Sequence, residues 1–117
     1  MEHPVPHTAD VWVVLVTTDT AESARALART VVRGGYAACV NIVPGVTSVY
    51  VWEGAEREEA EYLLVIKTTP ARYPALEAVL REQHTYTTPE VLALPSCAVS
   101  AAYAAWVEQQ CTPGPAE

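Results

Sequence analysis

A handful of side chains in this sequence have the types and spacing to bind something. Cys39 and His84 are candidate metal ligands, and Trp52, Glu61, Lys67 and Tyr86 are candidate linings of a small-ligand cleft. A cysteine thiolate is a good ligand for soft or borderline metals, although free cysteine more often packs as a small hydrophobe. His84 falls where a helix should end, beside Tyr86. There the helix dipole favours an imidazolium, and the ring can ligate a metal, bind an anion or simply hydrogen-bond a carbonyl. Lys67 is the sole lysine among seven basic residues, so a compact ammonium is wanted at that place. Glu61 precedes it by six residues, which puts both on one face of a strand, as a structural pair across an interface or as a ligand-binding pair. Tyr50 and Trp52 are spaced to share a face, for packing at an interface or stacking on a ligand. At the start, Met1-Glu2-His3 has the amine, two amides and imidazole of a square-planar Cu(II) site, a pattern that is common by chance. No Gly-rich phosphate loop, no H-E-x-x-H and no Ser-His-Asp spacing is present, so a catalytic role is not expected.

The element that must carry Cys39 and Trp52 is Ala37–Gly54, AACVNIVPGVTSVYVWEG. Its β-branched and aromatic residues favour a pleated backbone, and Pro44-Gly45 interrupts the ladder with a bulge or bend. It reads as one long kinked strand, more than a small domain needs for its own core. Such a strand should reach a neighbouring subunit.

Before it, Val11–Val16 is a continuous apolar run typical of a strand buried on both faces. Asp19 and Glu22 have the spacing of a capping box, and Ala24, Leu27, Ala28, Val31 and Val32 recur as one helical face that Gly34-Gly35 terminates. After it, residues 53–61 carry five glutamates without apolar periodicity and read as a solvated connection. Tyr62–Ile66 is the next central strand, apolar on both parities. Thr69 as N-cap and Pro70 at the first helical position then open a helix with Tyr73, Leu76 and Leu80 on one face, ending near His84. A short run, Val91–Leu94, stops at Pro95, and Ser100 to Gln109 forms a last helix with Tyr103 and Trp106 one turn apart.

The order of elements predicts an α+β fold, a ferredoxin-like βαββαβ sandwich with a C-terminal helix. Residues 1–9 are expected to be a flexible lead-in, 10–110 the domain and 111–117 a flexible tail. Helices can cover one side of such a sheet, yet the central strands are apolar on both. Other copies of the same chain are the natural cover for the second side.

Bulk properties bound the function. The 117 residues make one domain, and a net charge of −7 is the opposite of a nucleic-acid footprint. No apolar run approaches the roughly 18 residues of a membrane span, and the N-terminus lacks the pattern of a secretory signal. Three cysteines with no C-x-x-C spacing argue against a disulfide framework or zinc finger. A cytoplasmic protein with reduced thiols is expected, with neither nucleic acid nor membrane as partner.

Several blocks, in order, resemble the CutA divalent-cation tolerance proteins: VLVTT, AACVNIVPGVTSVYVWEG, EYLLVIKT, HTYTTPEVLALP and a terminal Y-x-x-W helix, spanning about residues 11–108. The resemblance implies a tight homotrimer in which the long strand and its hairpin partner pair across subunits, with a likeness to the trimeric PII signalling proteins. It also implies a link to copper and other divalent cations, with Cys39 at the position of a copper ligand. A PII-like sensor of a small ligand, or a scaffold that anchors another protein, is the alternative. Where the family usually has H-P-Y-E-x-P-E, Thr85 and Thr87 replace the proline and the first glutamate.

Overall fold

The computed structural model describes residues 10–113. The expected lead-in 1–9, including Met1-Glu2-His3, and the last residues of the expected tail lie outside the described residues. The described elements run β1 (Trp12–Thr18), α1 (Ala21–Arg33), β2 (Cys39–Trp52), β3 (Ala55–Thr68), α2 (Tyr73–Gln83), β4 (Leu92–Pro95) and α3 (Ala101–Gln110). The strands form one sheet in the order β2-β3-β1-β4, with every neighbouring pair antiparallel. Each helical crossover skips one strand position, so this is the ferredoxin-like arrangement.

One face of the sheet is closed by α1 and α2. Val14 and Val16 of β1 and Leu64 and Ile66 of β3 meet Ala24, Leu27 and Val31 of α1 and Leu76 and Leu80 of α2. Each of the valine, leucine and isoleucine side chains among them contributes about 1.5–3 kcal/mol by leaving water. Val32 is 41% exposed and belongs to the outer side of α1, not to the face of Ala24, Leu27 and Val31 that packs. A second, smaller cluster forms where α3 lies against the strand ends: Val11, Ala38, Ala104, Val107 and Cys111. Packing therefore runs on through Cys111.

Local chemistry corrects three expectations. The N-cap of α1 is Thr20, whose hydroxyl accepts from the Ser23 N–H, so Asp19 and Glu22 do not form the capping box. Thr69 does accept from the Arg72 N–H, but it caps a turn, and α2 proper begins at Tyr73 with Pro74 in its first turn. The acidic segment 53–61 is a strand rather than a solvated connection. Only Glu53 and Gly54 turn, with φ of 52° and 80°, the two left-handed residues of a tight hairpin. Trp52 then faces Ala55, and the ladder continues through Val51 opposite Glu56 and Val49 opposite Glu58. Main-chain pairing set by the turn overrides the poor strand propensity of glutamate.

Pro44-Gly45 produces the expected bulge, since the register steps from Val43 opposite Leu63 to Val46 opposite Glu61. One extra residue on β2 reverses which of its parities faces each side. Beyond the bulge, Ser48, Tyr50 and Trp52 therefore share a face with Arg57, Glu59 and Glu61.

The second face of the sheet is largely apolar, interrupted at its β2 side by the hydrogen-bonded pair Lys67 and Asn41. Register places Leu92, Leu15 and Val65 in one row and Leu94, Val13, Lys67 and Cys39 in the next, with Leu63 and Val43 beyond them. Leu92, Leu94 and Val43 are 49%, 44% and 41% exposed, so this face is uncovered in the single chain.

Candidate functional site

Two regions hold the residues singled out from sequence, one at each end of that second face. The first surrounds Cys39. Its thiol lies 3.4 Å from the Tyr103 hydroxyl of α3, and register sets it opposite Lys67. The Lys67 ammonium donates to the Asn41 side-chain oxygen and to the Val65 carbonyl. Burial, helped by the Cys39 contact, pushes the Tyr103 phenol up to about 12. Tyr103 also stacks at a tilt on Trp106, ring centroids 5.8 Å apart, on the exposed side of α3.

The second region is a cleft of about 720 Å³ between the outer β2–β3 hairpin and the loop after α2. Tyr50, Trp52, Arg57, Glu59 and Glu61 come from the hairpin, and Thr85 to Thr88 with Glu90 come from the loop. Glu61 is only 6% exposed, and its Oε2 accepts from the Tyr86 hydroxyl at 2.6 Å. Burial, and then this bond, push the Tyr86 phenol far above its ordinary range. The Tyr50 hydroxyl donates likewise to Glu59, which raises its pKa.

His84 holds this loop in place from behind. It is the C-cap of α2 and 8% exposed. Its Nδ1 accepts from the Tyr86 N–H at 2.9 Å, so Nε2 carries the proton and donates to the Thr17 carbonyl at 2.8 Å. The imidazole thus ties the end of β1 to the loop and stacks at a tilt on Tyr86, centroids 4.7 Å apart. Both ring nitrogens have protein partners, and binding a cation there requires exchange of one of them.

Of the six candidates, Trp52, Glu61 and Tyr86 converge on the cleft, with His84 directly behind it. Cys39 and Lys67 lie at the other end. Six residues of extended strand, about 20 Å, separate Glu61 from Lys67, so the two do not pair within one chain. Cys39 and His84 likewise share no neighbour, and among the described residues no group of three or more His, Cys, Asp or Glu side chains is placed to hold a metal ion. Arg57 and Glu59 were missed from sequence because charges on both parities of 53–61 mask a strand, and Glu90 because a loop residue has no periodicity to place it. The two-residue spacing of Arg57, Glu59 and Glu61 was the available signal. Thr85 and Thr87, the departures from the family pattern, stand in the cleft wall itself.

Fold and site together define a class: a ferredoxin-like α+β domain with an extended hairpin arm, an uncovered apolar sheet face and an acidic, aromatic cleft at the arm's base. The sequence profile of the CutA1 divalent ion tolerance protein matches residues 12–110. This chain belongs to that family. The divalent-cation tolerance protein CutA of Thermus thermophilus is 43% identical over 97 residues, covering 83% of this chain and 94% of the relative. The chloroplastic CutA protein of Arabidopsis thaliana is 43% identical over 96 residues, 82% of this chain but 53% of its own length, so the chain spans about half of that relative. The crystal structure of CutA1 from Oryza sativa superposes with a TM-score of 0.86 at 40% identity, covering 90% of this chain and 96% of that one. One relative is named for the chloroplast, so membership does not fix a compartment. Among the described residues, no helix is long and apolar enough to cross a membrane.

Proposed function

We propose that this chain acts in divalent-cation tolerance as a non-catalytic cytoplasmic homotrimer that takes up a divalent or soft metal ion, copper foremost, through Cys39. The observation that carries the reading is the half-buried free thiol of Cys39 at the edge of the apolar second face, the face available for covering by other copies. A thiolate there suits copper better than hard cations. The names of the relatives at about 43% identity support the tolerance role. Three free cysteines agree with a reducing compartment. His84 contributes by fixing the loop, and by ligation only where a metal displaces one of its two partners.

Equilibrium dialysis against copper, with zinc in parallel, tests this. Saturable uptake by the assembled protein, lost in Cys39→Ala, is expected; equal uptake by the variant counts against the site. A second reading rests on a different observation, the cleft of about 720 Å³ lined by Trp52, Glu61 and Tyr86. It makes the assembly a PII-like sensor that binds a small ligand and presents it to a protein partner. A thermal-shift screen separates the two, because only a ligand of the folded state raises its apparent stability.

A further inference from the structure

Three of the chain's seven basic residues stand in one stripe on α1. Arg25, Arg29 and Arg33 recur at i, i+4 and i+8, so they follow one side of the helix for about 12 Å, with about 6 Å between neighbours. All three are exposed, because the opposite side of α1, with Ala24, Leu27 and Val31, is the one that packs on the sheet. The sheet itself separates the stripe from the face left for other copies. Assembly through that face leaves the arginines outward.

Nothing within the chain accounts for the stripe. Among the described residues none of the three arginines has a carboxylate partner, although the chain holds fourteen acidic residues against seven basic ones. On α2 the same spacing is used otherwise, since Glu77 and Arg81 form an i,i+4 ion pair at 3.8 Å. Like charges at that spacing repel. The helix dipole welcomes a cation in the last turn, which explains Arg33 but not Arg25 in the first half of α1. The flanks are shaped for contact as well. Ala26 and Thr30 on one side are small and exposed and admit another backbone, and Val32 on the other is 41% exposed.

Charge and size choose the partner. A nucleic-acid duplex or an anionic membrane is an extended polyanion, and beyond so short a stripe it meets a chain of net charge −7. A short acidic segment of a protein meets the arginines alone. Carboxylates one turn apart on a helix have the same spacing of about 6 Å, so an acidic helix laid along α1 pairs with each guanidinium in turn. An apolar residue beside those carboxylates covers Val32. We infer that the face of α1 carrying Arg25, Arg29 and Arg33 docks an acidic helical segment of another protein. This surface uses neither Cys39 nor the cleft.

The test is fluorescence anisotropy of a labelled helical peptide with glutamate at every fourth position in an alanine and leucine background, titrated with the full chain at low and at physiological ionic strength. The same peptide with glutamine for glutamate, a DNA duplex and phosphatidylserine vesicles are the comparison arms. Saturable binding of the glutamate peptide is expected, weakening as salt rises. It should be at least tenfold weaker in Arg29→Glu and less than threefold weaker in Arg81→Glu, which makes the same charge change on α2. Both side chains are exposed, so both variants keep the fold. Absence of binding at low salt, equal binding of the glutamine peptide, or a loss in Arg29→Glu no larger than in Arg81→Glu overturns the inference. Duplex or vesicles bound at least as tightly as the peptide overturn it in favour of a polyanion surface.

Discussion

The Tyr86 hydroxyl donates to Glu61 Oε2 at 2.6 Å, joining the loop after α2 to the middle of β3 across the cleft. Removing that donor strands a buried carboxylate oxygen. Tyr86→Phe is therefore expected to lower stability by about 1–3 kcal/mol. Tyr50→Phe, which strips a similar bond from exposed Glu59, should stay within about 0.5 kcal/mol of the parent. Urea unfolding of both at one protein concentration checks the contrast. Equal losses refute it.

His84 is a clamp between Thr17 and Tyr86 before it is anything else. His84→Ala should cost about 1–3 kcal/mol through the unpaired Tyr86 N–H and Thr17 carbonyl. Copper uptake per folded chain should survive it, and dialysis at a temperature where the variant is folded measures this. Loss of uptake with undiminished stability reverses the assignment and makes the ring a ligand.

The second sheet face and the helical core should respond differently to substitution. Val65→Glu puts a charge in the centre of the uncovered apolar face, and the expected result is a drop in assembled mass by light scattering. Helical circular dichroism should persist at concentrations where the monomer is folded. Leu80→Ala opens a cavity under α2 and should cost about 2–5 kcal/mol while the mass of the folded fraction stays the same. An unaltered mass in Val65→Glu removes this face from the assembly.

Alkaline titration reads the Cys39–Tyr103 contact. The folded Tyr103 phenol is held at about 12 against an ordinary 10.0, first by burial and then by the thiol. The folded chain thus keeps a proton that the unfolded chain releases. Its contribution to stability is whole below about pH 10, declines as pH rises, and is gone above about pH 12. Tyrosinate absorbance at 295 nm should show a late-ionising class. In Cys39→Ala part of that class should move toward lower pH, and an identical curve argues that the two groups do not interact.

Two glycines with similar backbones should tolerate alanine unequally. Gly35 has φ +72° and a Cβ there meets the Thr112 carbonyl oxygen at 2.1 Å, whereas Gly45 has φ +78° and open space. Gly45→Ala is expected to cost about 1 kcal/mol for its left-handed backbone, and Gly35→Ala clearly more because the segment after α3 must also move. Equal thermal shifts contradict this.

Much of the fold was legible in the sequence because burial leaves a periodic mark. Leu27 and Val31, Leu76 and Leu80, and the two-sided runs of β1 and β3 announced their elements through apolar spacing. The outer hairpin left no such mark, since neither face of Glu56–Ala60 is buried in one chain. Its strand is dictated by a two-residue turn and by pairing with β2. The site was legible as residue types, not as groupings. Tyr50 and Trp52 share a sheet face with Glu59 and Glu61 only because the bulge at Pro44-Gly45 reverses the facing of β2, and His84 was separated from Cys39 by a strand length that no local spacing reveals.

The apolar second face has a thermodynamic consequence. If its rows from Leu92 to Val43 are covered only when copies meet, folding and association form one linked equilibrium. The midpoint of unfolding then rises with protein concentration. For such a chain dilution acts as a denaturant, and a stability quoted without a molarity describes no single state.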